Sequence, residues 1–250
     1  MANLSVVDKI FFKDNGYLIK RNVLSDDQIE AARSSLWNGI NADPADSSTW
    51  VGAGPRVPCS GSDPAINATV NGSSVFSMME DMVGRNQLQS AGPGPNLVFP
   101  SGDKQWDEPK HGHLDGYYTP TNGVPEGTVG YMTVNVTIYV EDVGHQGGCF
   151  TVFPGTHKMA HEYFRRQSLL SVQGGSSKEI WSDDEMPKAV EFTGNRGDVC
   201  FWHGQMVHTG TKNVNRNIRM ALIGRYRRKD SNDICFETPD DMWKYWEGIQ

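Results

Sequence analysis

The chain has 250 residues, with 23 Lys and Arg against 30 Asp and Glu, which gives a formal net charge of −7. Because disordered chains are poor in aromatic residues and highly charged, contents of 10% aromatic and 21% charged residues exclude global disorder. The acidic balance argues against a protein that binds nucleic acid or anionic membranes, since such binding needs a basic face. The 27 glycines and 13 prolines favour a turn-rich, β-rich architecture over a helical bundle.

The cysteine spacing and the lack of long apolar segments indicate the cellular compartment of the protein. The 4 cysteines are widely spaced and form no C-x-x-C pair, which argues against a zinc ribbon or thioredoxin-type chemistry. The first residues carry charges and no long apolar run, so they do not resemble a signal peptide. No stretch approaches the ~18 apolar residues of a membrane span. We therefore expect a reducing, cytoplasmic setting without membrane contact.

Three segments carry helix signals. Ser25 and Gln28 have the spacing of a capping box, and apolar residues follow at helical intervals. Residues 74–83 repeat apolar positions on one helical face. Near the end of the chain, Thr238 and Pro239 are typical of a helix start, and they predict a last helix. Between the first two segments, residues 41–72 are aperiodic and rich in Gly, Pro and Ser, which predicts a loop that is a candidate lid over a site.

The middle of the chain is dominated by strand patterns. Residues 130–140 alternate strictly, so Asn135, Thr137 and Tyr139 share one face, which is suited to line a polar site. Further short strands, separated by glycine and proline turns, are predicted at residues 96–99, 149–153, 198–203 and 217–226. Regularly punctuated strands of this kind indicate a sandwich or a jelly roll.

A cluster of metal-binding residue types stands out. His111, His113 and Asp115 alternate along the chain, and on an extended strand residues i and i+2 point to the same side. His203 and His208 lie far downstream. An H-x-D pair joined by one distant histidine matches the two-histidine, one-carboxylate triad that binds non-haem iron(II) and leaves coordination positions open.

The order of several motifs makes the sequence resemble the phytanoyl-CoA dioxygenase family of iron(II)- and 2-oxoglutarate-dependent oxygenases. The similar pieces span most of the chain in the family's order, and the last of them keep the family's spacing. They are Asn15-Gly16-Tyr17-Leu18, residues 23–29, His113-Leu114-Asp115, Gly147-Gly148, Val152-Phe153-Pro154-Gly155-Thr156-His157, Gly197-Asp198, Trp202-His203-Gly204, Val207-His208 and Arg219.

The resemblance implies a mainly β fold, a double-stranded β-helix of the jelly-roll or cupin-like type with flanking α-helices, as a single domain over residues 1–250. It implies that His113, Asp115 and His208 are the iron(II) ligands and that Arg219 binds the distal carboxylate of 2-oxoglutarate. A planar guanidinium is suited to bidentate capture of a carboxylate. Arg216 is the competing residue, but its place near the turn favours a solvated side chain.

The sequence departs from the family's pattern at two places. Leu114 stands between the first two ligands, where the family often has Gln. Two positions after the distal histidine the family often has a small hydroxyl residue that helps to hold the co-substrate, whereas this chain has Gly210. Thr209 or Thr211 is expected to substitute for that residue, and Asn135 is a further candidate contact for the co-substrate.

The remaining histidines receive mainly structural interpretations. His203 lies five residues before His208, so on an unbroken strand the two side chains point to opposite faces, and we interpret His203 as structural. His157 is expected to orient a loop, and His145 and His161 to lie on the surface. For His111, a role close to the iron ligands, a contact with substrate and a solvated position all stay open.

Aromatic residues near the motif are candidates for the substrate pocket. They are Tyr117, Tyr118, Trp106 and Tyr139, each with core packing as the alternative. The basic residues 225–229 fit a solvated strand end, or a contact with an anionic substrate. The resemblance leaves the identity of the substrate and the oligomeric state open.

The predicted function is a dioxygenase that hydroxylates or otherwise oxidises an unactivated C–H bond of a small-molecule substrate. The reaction converts 2-oxoglutarate and O2 to succinate and CO2. Halogenating relatives lack the carboxylate ligand, so Asp115 favours hydroxylation or another oxidation. Two alternatives are a metallo-β-lactamase-like zinc hydrolase that uses His111, His113 and Asp115, and a non-catalytic jelly-roll protein that binds a ligand.

Overall fold

A computed structural model of the protein describes residues 4–120, 122–130 and 132–249. Its strands are β1 (Tyr17–Lys20), β2 (Gly94–Val98), β3 (Val134–Tyr139), β4 (Phe150–Val152), β5 (Val190–Phe192), β6 (Val199–His203), β7 (His208–Gly210) and β8 (Arg219–Tyr226). They form a five-stranded sheet in the order β1-β6-β3-β8-β2 and a three-stranded sheet in the order β5-β4-β7, both antiparallel. The chain crosses repeatedly between the two sheets, which confirms the predicted jelly-roll core.

Each face of β3 packs against a different part of the molecule. Val134 and Ile138 belong to a core cluster with the helices that cover the outer face of the larger sheet. Tyr139 packs with residues of the smaller sheet, and Asn135 shares that face by the period of two. The predicted alternation is therefore confirmed from residue 134 onward, while the predicted position of Tyr131 lies outside the described residues.

Helices cover the outside of the sheets. They are α1 (Val6–Asn15), α2 (Asp26–Trp37), α3 (Pro64–Asn71), α4 (Val75–Val83), α5 (Thr156–Phe164) and α6 (Ser231–Ile234). The predicted capping box of α2 is confirmed, because Ser25 and Gln28 each accept a backbone N–H of the other through a side-chain oxygen, at 3.3 Å and 3.1 Å. Within the described ranges, none of these helices combines the length and apolar character that a membrane crossing requires.

The helix predicted from Thr238 is wrong. Residues 242–245 and 247–249 form turns, and Asp241 Oδ1 accepts the backbone N–H of Trp243 at 2.9 Å. An aspartate that bonds to the backbone nearby competes with helix formation. The turns also bury both Trp243 and Trp246 against the core.

The prediction of a loop throughout residues 41–72 is wrong at its end. Helix α3 begins at Pro64, and Asp63 Oδ1 accepts the backbone N–H groups of Ala65 and Ile66 at 2.9 Å and 3.2 Å. An aspartate cap followed by proline is a helix-start signal, and the buried Ile66 holds the helix against the core.

Candidate metal centre

Backbone pairing brings the two halves of the predicted triad together. His113 donates its backbone N–H to the carbonyl of His208 at 2.9 Å, and His208 returns the bond to the carbonyl of His113 at 3.1 Å. Gly112 permits this approach, since a Cβ there would lie 2.3 Å from the carbonyl oxygen of His208. Asp115 follows two residues later and points to the same side as His113, as the extended backbone predicts.

The three side chains form a compact donor set. Asp115 Oδ1 lies 3.7 Å from Nε2 of His113 and 3.7 Å from Nε2 of His208. One ligand atom from each residue lies within 4.8 Å of the other two. Two imidazoles and a carboxylate on one side of a point suit a non-haem iron(II) ion and leave the opposite coordination positions free.

The protonation states favour metal binding. Burial lowers the pKa of His208 to about 3, and burial also lowers the pKa of His113, so both imidazoles are neutral near pH 7. The Nδ1 of His208 lies 3.0 Å from the carbonyl of Met206, which fixes its tautomer and leaves Nε2 as the donor to a metal. The His113 side chain is 47% exposed, so the centre opens to solvent on that side.

Arg225, from β8, contacts the carboxylate of the donor set. Its Nε donates to Asp115 Oδ2, and Nη2 lies 3.5 Å from Oδ1. Burial favours the neutral acid, but His208 and Arg225 outweigh it and hold the pKa of Asp115 below its usual value. The guanidinium therefore keeps the carboxylate ionised and leaves Oδ1 turned toward the two imidazoles. The basic cluster at residues 225–229 is thus not simply a solvated strand end.

Arg219 lies at the other end of the same strand, buried between the sheets with 2% exposure. Its Nη2 donates to Asn96 Oδ1 at 3.1 Å. Among the described residues, no group accepts a hydrogen bond from Nε or Nη1 of Arg219, and none pairs with either amide atom of Asn135. Because a buried charge needs a partner, these atoms fit a bound dicarboxylate such as 2-oxoglutarate. The competing Arg216 is exposed.

The two threonines around Gly210 bond to the backbone. Thr209 Oγ1 donates to the carbonyl of Gly210 at 3.2 Å, and Thr211 Oγ1 donates to the carbonyl of Cys149 at 3.3 Å. A Cβ on Gly210 would lie 3.9 Å from Nη2 of Arg219. A hydroxyl side chain at position 210, which the family often has, would therefore lie beside Arg219.

His111 lies outside the donor set. Its Nδ1 is 2.9 Å from Ser177 Oγ, and its Nε2 is 3.0 Å from Asp183 Oδ1. These contacts occupy both ring nitrogens of His111 and anchor the loop that carries His113 and Asp115. The alternative of a zinc hydrolase built on His111, His113 and Asp115 is therefore not favoured.

The other histidines are structural. His203 is buried and stacks on Trp246 with ring centroids 4.9 Å apart, on the opposite side of the chain from His208. His157 Nε2 lies 3.2 Å from the carbonyl of Lys13, so it ties α5 to α1. His145 is exposed as predicted.

The prediction of a surface position for His161 is wrong. This side chain is buried, and its Nε2 lies 2.8 Å from the carbonyl of Pro239. The C-terminal turns cover it, because they fold back onto α5.

The predicted pocket aromatics occupy different environments. Tyr117 is buried and stacks on Phe164, whereas Tyr118 is partly exposed. Trp106 packs against His145 with ring centroids 5.6 Å apart. Tyr139 has its hydroxyl in two bonds, donating to the carbonyl of Phe192 at 2.6 Å and accepting the backbone N–H of Phe150 at 3.0 Å. These bonds place Tyr139 in the packing between the two sheets rather than at an open surface.

Sequence reasoning missed three polar residues around the site. Arg225 shares the face of Arg219 by the period of two, so its position was readable, but its contact with Asp115 was not. Asn96 bonds to Arg219, and Arg56 bonds to Asn96. No short-range pattern marks either of these residues, because their partners lie far away along the chain.

Three comparisons bear on the family. The model of the phytanoyl-CoA dioxygenase (PhyH) family matches residues 91–221. Peroxisomal phytanoyl-CoA dioxygenase of Rattus norvegicus is 23% identical over 251 residues, which cover 92% of this chain and 70% of the rat protein. The non-heme alpha ketoglutarate dependent carbocyclase SnoK from nogalamycin biosynthesis has a TM-score of 0.59 at 18% identity, covering 95% of this chain and 93% of SnoK. HygX from Streptomyces hygroscopicus, with nickel and 2-oxoglutarate bound, has a TM-score of 0.57 at 16% identity, covering 90% of this chain and 88% of HygX.

The structural likenesses agree with the jelly-roll core. The family match spans just over half of the chain, and it includes the donor set as well as Arg219. It does not favour a zinc hydrolase or a non-catalytic ligand-binding protein. With this match, the chain belongs to the phytanoyl-CoA dioxygenase family.

Proposed function

We propose that His113, Asp115 and His208 hold the iron(II) ion of this 2-oxoglutarate-dependent dioxygenase. The observation that carries the proposal is the convergence of their ligand atoms within 4.8 Å of one another, with one imidazole open to solvent. Iron(II), when bound, supplies the O2 chemistry that couples the conversion of 2-oxoglutarate to succinate and CO2 with oxidation of an unactivated C–H bond. The protein's own groups fix the ligands, hold the co-substrate and orient the substrate.

Arg219 is our candidate for binding the distal carboxylate of 2-oxoglutarate. Its Nε and Nη1 are buried and have no acceptor among the described residues, and a bound carboxylate would supply one. Asn135, whose amide is also unpartnered among the described residues, is a candidate donor to the same molecule. Thr209 and Thr211 stay weaker candidates, because their hydroxyls already donate to backbone carbonyls.

The substrate is proposed to be a small molecule that approaches beside Tyr117 and Tyr118. Tyr117 lines a narrow cleft that also contains Asp115, and both tyrosines line an open groove of about 670 Å³. Trp106 and Tyr139 are less favoured as contacts, since they pack against His145 and between the sheets.

We further propose that residues 1–250 act as one catalytic domain in a reducing, cytoplasmic setting. The four cysteines support this setting, since all of them are free thiols. The net charge of −7 supports a protein that does not bind nucleic acid.

The test is anaerobic addition of iron(II) and 2-oxoglutarate to the purified protein. A visible charge-transfer band is expected for the wild type and for the His145→Ala control, whose imidazole is exposed and outside the donor set. His208→Ala should lose the band. Oxygen and a panel of metabolites are then screened for succinate formation above the uncoupled background. A band that persists in His208→Ala would refute the assignment of the ligands.

A further inference from the structure

A small cavity lies on the outer face of the larger sheet, away from the candidate metal centre. Trp37 and Trp50 line it together with Ile218 and Met220, and all four pack with the core cluster of that face. Met220 and Arg219 are successive residues of β8, so their side chains point to opposite faces of the sheet. The sheet therefore separates this cavity from the proposed co-substrate site. Its volume is about 210 Å³, below the ~300 Å³ at which pockets for drug-sized ligands begin, so a ligand here must be small.

The two tryptophans of the cavity come from different parts of the chain. Trp37 is the last residue of α2, and Trp50 ends a short 3-10 helix, Ser47–Trp50, in the segment that was predicted as a candidate lid. Their ring centroids lie 5.7 Å apart, with the ring planes at 49° to each other. Trp50 is fixed by its Nε1, which donates to the carbonyl of Asp43 at 2.8 Å. The cavity is therefore lined by a pair of adjacent indole rings.

The segment that follows Trp50 is docked on the edge of the larger sheet. Gly52 donates its backbone N–H to the carbonyl of Pro100 at 3.0 Å, and the carbonyl of Arg56 accepts the backbone N–H of Leu97 in β2 at 2.9 Å. The Nε of Arg56 also donates to the carbonyl of Leu97 at 3.3 Å. These bonds hold the segment, and Trp50 with it, against the sheet, so the aromatic wall is formed before any ligand binds.

One polar group in the wall of the cavity lacks a partner. The Nε1 of Trp37 is buried, and no acceptor in the described part of the chain bonds to it. An indole N–H can only donate, and a buried one usually has an acceptor. An oxygen atom of a ligand in the cavity would supply that acceptor.

The charges beside the two rings are mainly negative. Arg33 pairs with Glu141, which lines the cavity, and also with Glu30 at 3.5 Å, so two carboxylates share one guanidinium. Asp142 lines the cavity as well and adds a further carboxylate. Within the described ranges, no Lys or Arg side chain lies over either indole ring. Indole faces that carry no cation, next to an excess of carboxylates, favour an organic cation as the ligand.

We propose that this cavity is a second ligand site, which binds a small alkylated ammonium ion with an oxygen atom close to its charge. The indole rings of Trp37 and Trp50 contact the alkyl groups on the nitrogen. Glu141 and Asp142 supply the negative potential, and the N–H of Trp37 donates to the oxygen. The site depends on neither iron(II) nor 2-oxoglutarate, so the proposal goes beyond the proposed catalytic function and stands apart from it.

The first test compares three probes of similar size on the full chain, in the presence of zinc(II) and 2-oxoglutarate so that the proposed catalytic centre is occupied. Choline carries the charge and the hydroxyl, 3,3-dimethylbutan-1-ol has the same shape without the charge, and tetramethylammonium has the charge without the hydroxyl. Saturation-transfer NMR on the methyl signal of each probe gives its dissociation constant. Choline should bind at least about tenfold more tightly than the neutral alcohol and roughly threefold or more above tetramethylammonium.

Two results with these probes would overturn the proposal. Choline that shows no saturable binding would mean that the cavity takes no such ligand. Equal affinity for choline and the neutral alcohol would mean that the cavity does not recognise a cation.

The second test uses variants to locate the bound probe. Trp50→Leu should weaken choline binding by about tenfold, since it removes one aromatic face. Trp37→Phe keeps a ring and removes only the N–H, so it should lower the affinity for choline to that for tetramethylammonium and leave the latter unchanged. The control is Trp181→Phe, whose ring packs near Tyr163 outside the cavity and which should bind choline like the wild type. Wild-type affinity in both Trp50→Leu and Trp37→Phe would place the probe elsewhere and refute this site.

Discussion

Two arginines on one face of β8 serve opposite ends of the candidate site. Arg219 and Arg225 are six residues apart, which corresponds to roughly 20 Å along a strand. Arg225 pairs with the carboxylate that is proposed to bind iron, while Arg219 has nitrogens with no partner in the described residues. Arg225 therefore contacts a proposed ligand of the metal, whereas Arg219 is the candidate for binding the distal carboxylate of the co-substrate.

Arg225 is expected to act as a positioning residue for Asp115. Arg225→Gln should weaken nickel(II) or iron(II) binding by about 10- to 100-fold, because partners that orient a metal ligand typically contribute that much. Arg225→Lys should recover part of the affinity through the charge alone. Calorimetric metal titration checks this, with Arg216→Gln as the matched control. Unchanged affinity in Arg225→Gln would show that the ion pair does not support the metal site.

Asp115 is expected to be essential. Asp115→Gly removes the only carboxylate of the donor set that the described residues form, so succinate production should fall by at least about 100-fold. The measurement is succinate release with iron(II), 2-oxoglutarate and oxygen, together with a metal titration. Full turnover in Asp115→Gly would exclude Asp115 as a required ligand.

At the scale of elements, the backbone pairing of His113 with His208, the first residue of β7, sets the distance between the two histidines of the candidate metal centre. Gly112→Ala would push a Cβ to 2.3 Å from the carbonyl of His208, so the two backbones must separate. We expect metal affinity to fall by about tenfold or more, since ligand placement controls affinity. Gly144→Ala is the control, because a Cβ there meets its nearest neighbour, Asn215, only at 3.7 Å. Wild-type affinity in Gly112→Ala would contradict this view of the pairing.

Helices and strands could be predicted where short-range sequence patterns determine them. The capping box of α2 and the alternation of β3 are short-range patterns, and both are confirmed. Local signals of the same kind begin two further helices, since Ser5 forms a capping box with Asp8 at the start of α1 and Asp63 caps α3. The failed C-terminal helix shows the limit of local rules, because tertiary burial of Trp243 and Trp246 selects turns there.

At the scale of the whole molecule, a buried aromatic and histidine cluster joins the two ends of the chain. His157 contacts His203 and Trp243, with ring centroids 5.5 Å and 6.0 Å apart, and His203 stacks on Trp246. His157 also bonds to the carbonyl of Lys13 in α1. Helix α1, helix α5 and the C-terminal turns therefore depend on neutral imidazoles in one place.

This cluster predicts a loss of stability in mild acid. Burial lowers the pKa of His157 to about 4 in the folded protein, against about 6.5 in an unfolded chain. The unfolded state therefore binds protons first, so the stabilisation is complete above pH 6.5 and is lost as the pH falls toward 4. At pH 5, the loss from His157 alone is on the order of 2 kcal/mol.

Urea unfolding of the metal-free protein at pH 7.5 and pH 5 measures this effect. The difference in free energy of unfolding between the two pH values should shrink in His157→Asn and stay unchanged in His145→Asn, whose imidazole is exposed. Metal-free protein is needed because proton competition at His113 and His208 would add its own pH dependence. An equal pH dependence in wild type and His157→Asn would refute the assignment.

Only part of the candidate site could be predicted from the sequence. The order of motifs along the chain predicted that His113, Asp115 and His208 would converge, and the structure brings them together. The supporting contacts could not be predicted, because Arg225 meets Asp115 across 110 residues and Arg219 meets Asn96 across 123. Such contacts depend on the register of β8 with both of its neighbours, which no local pattern specifies.

The bond between Leu97 and Arg56 also affects how the molecule behaves toward copies of itself. Strand β2 ends the larger sheet, and its outer N–H and C=O groups are a template for strand addition by another chain. Residues 51–60 occupy part of that template. Displacement of this segment would therefore expose unpaired backbone N–H and C=O groups of β2. A deletion of residues 51–60 would then favour aggregation by strand addition.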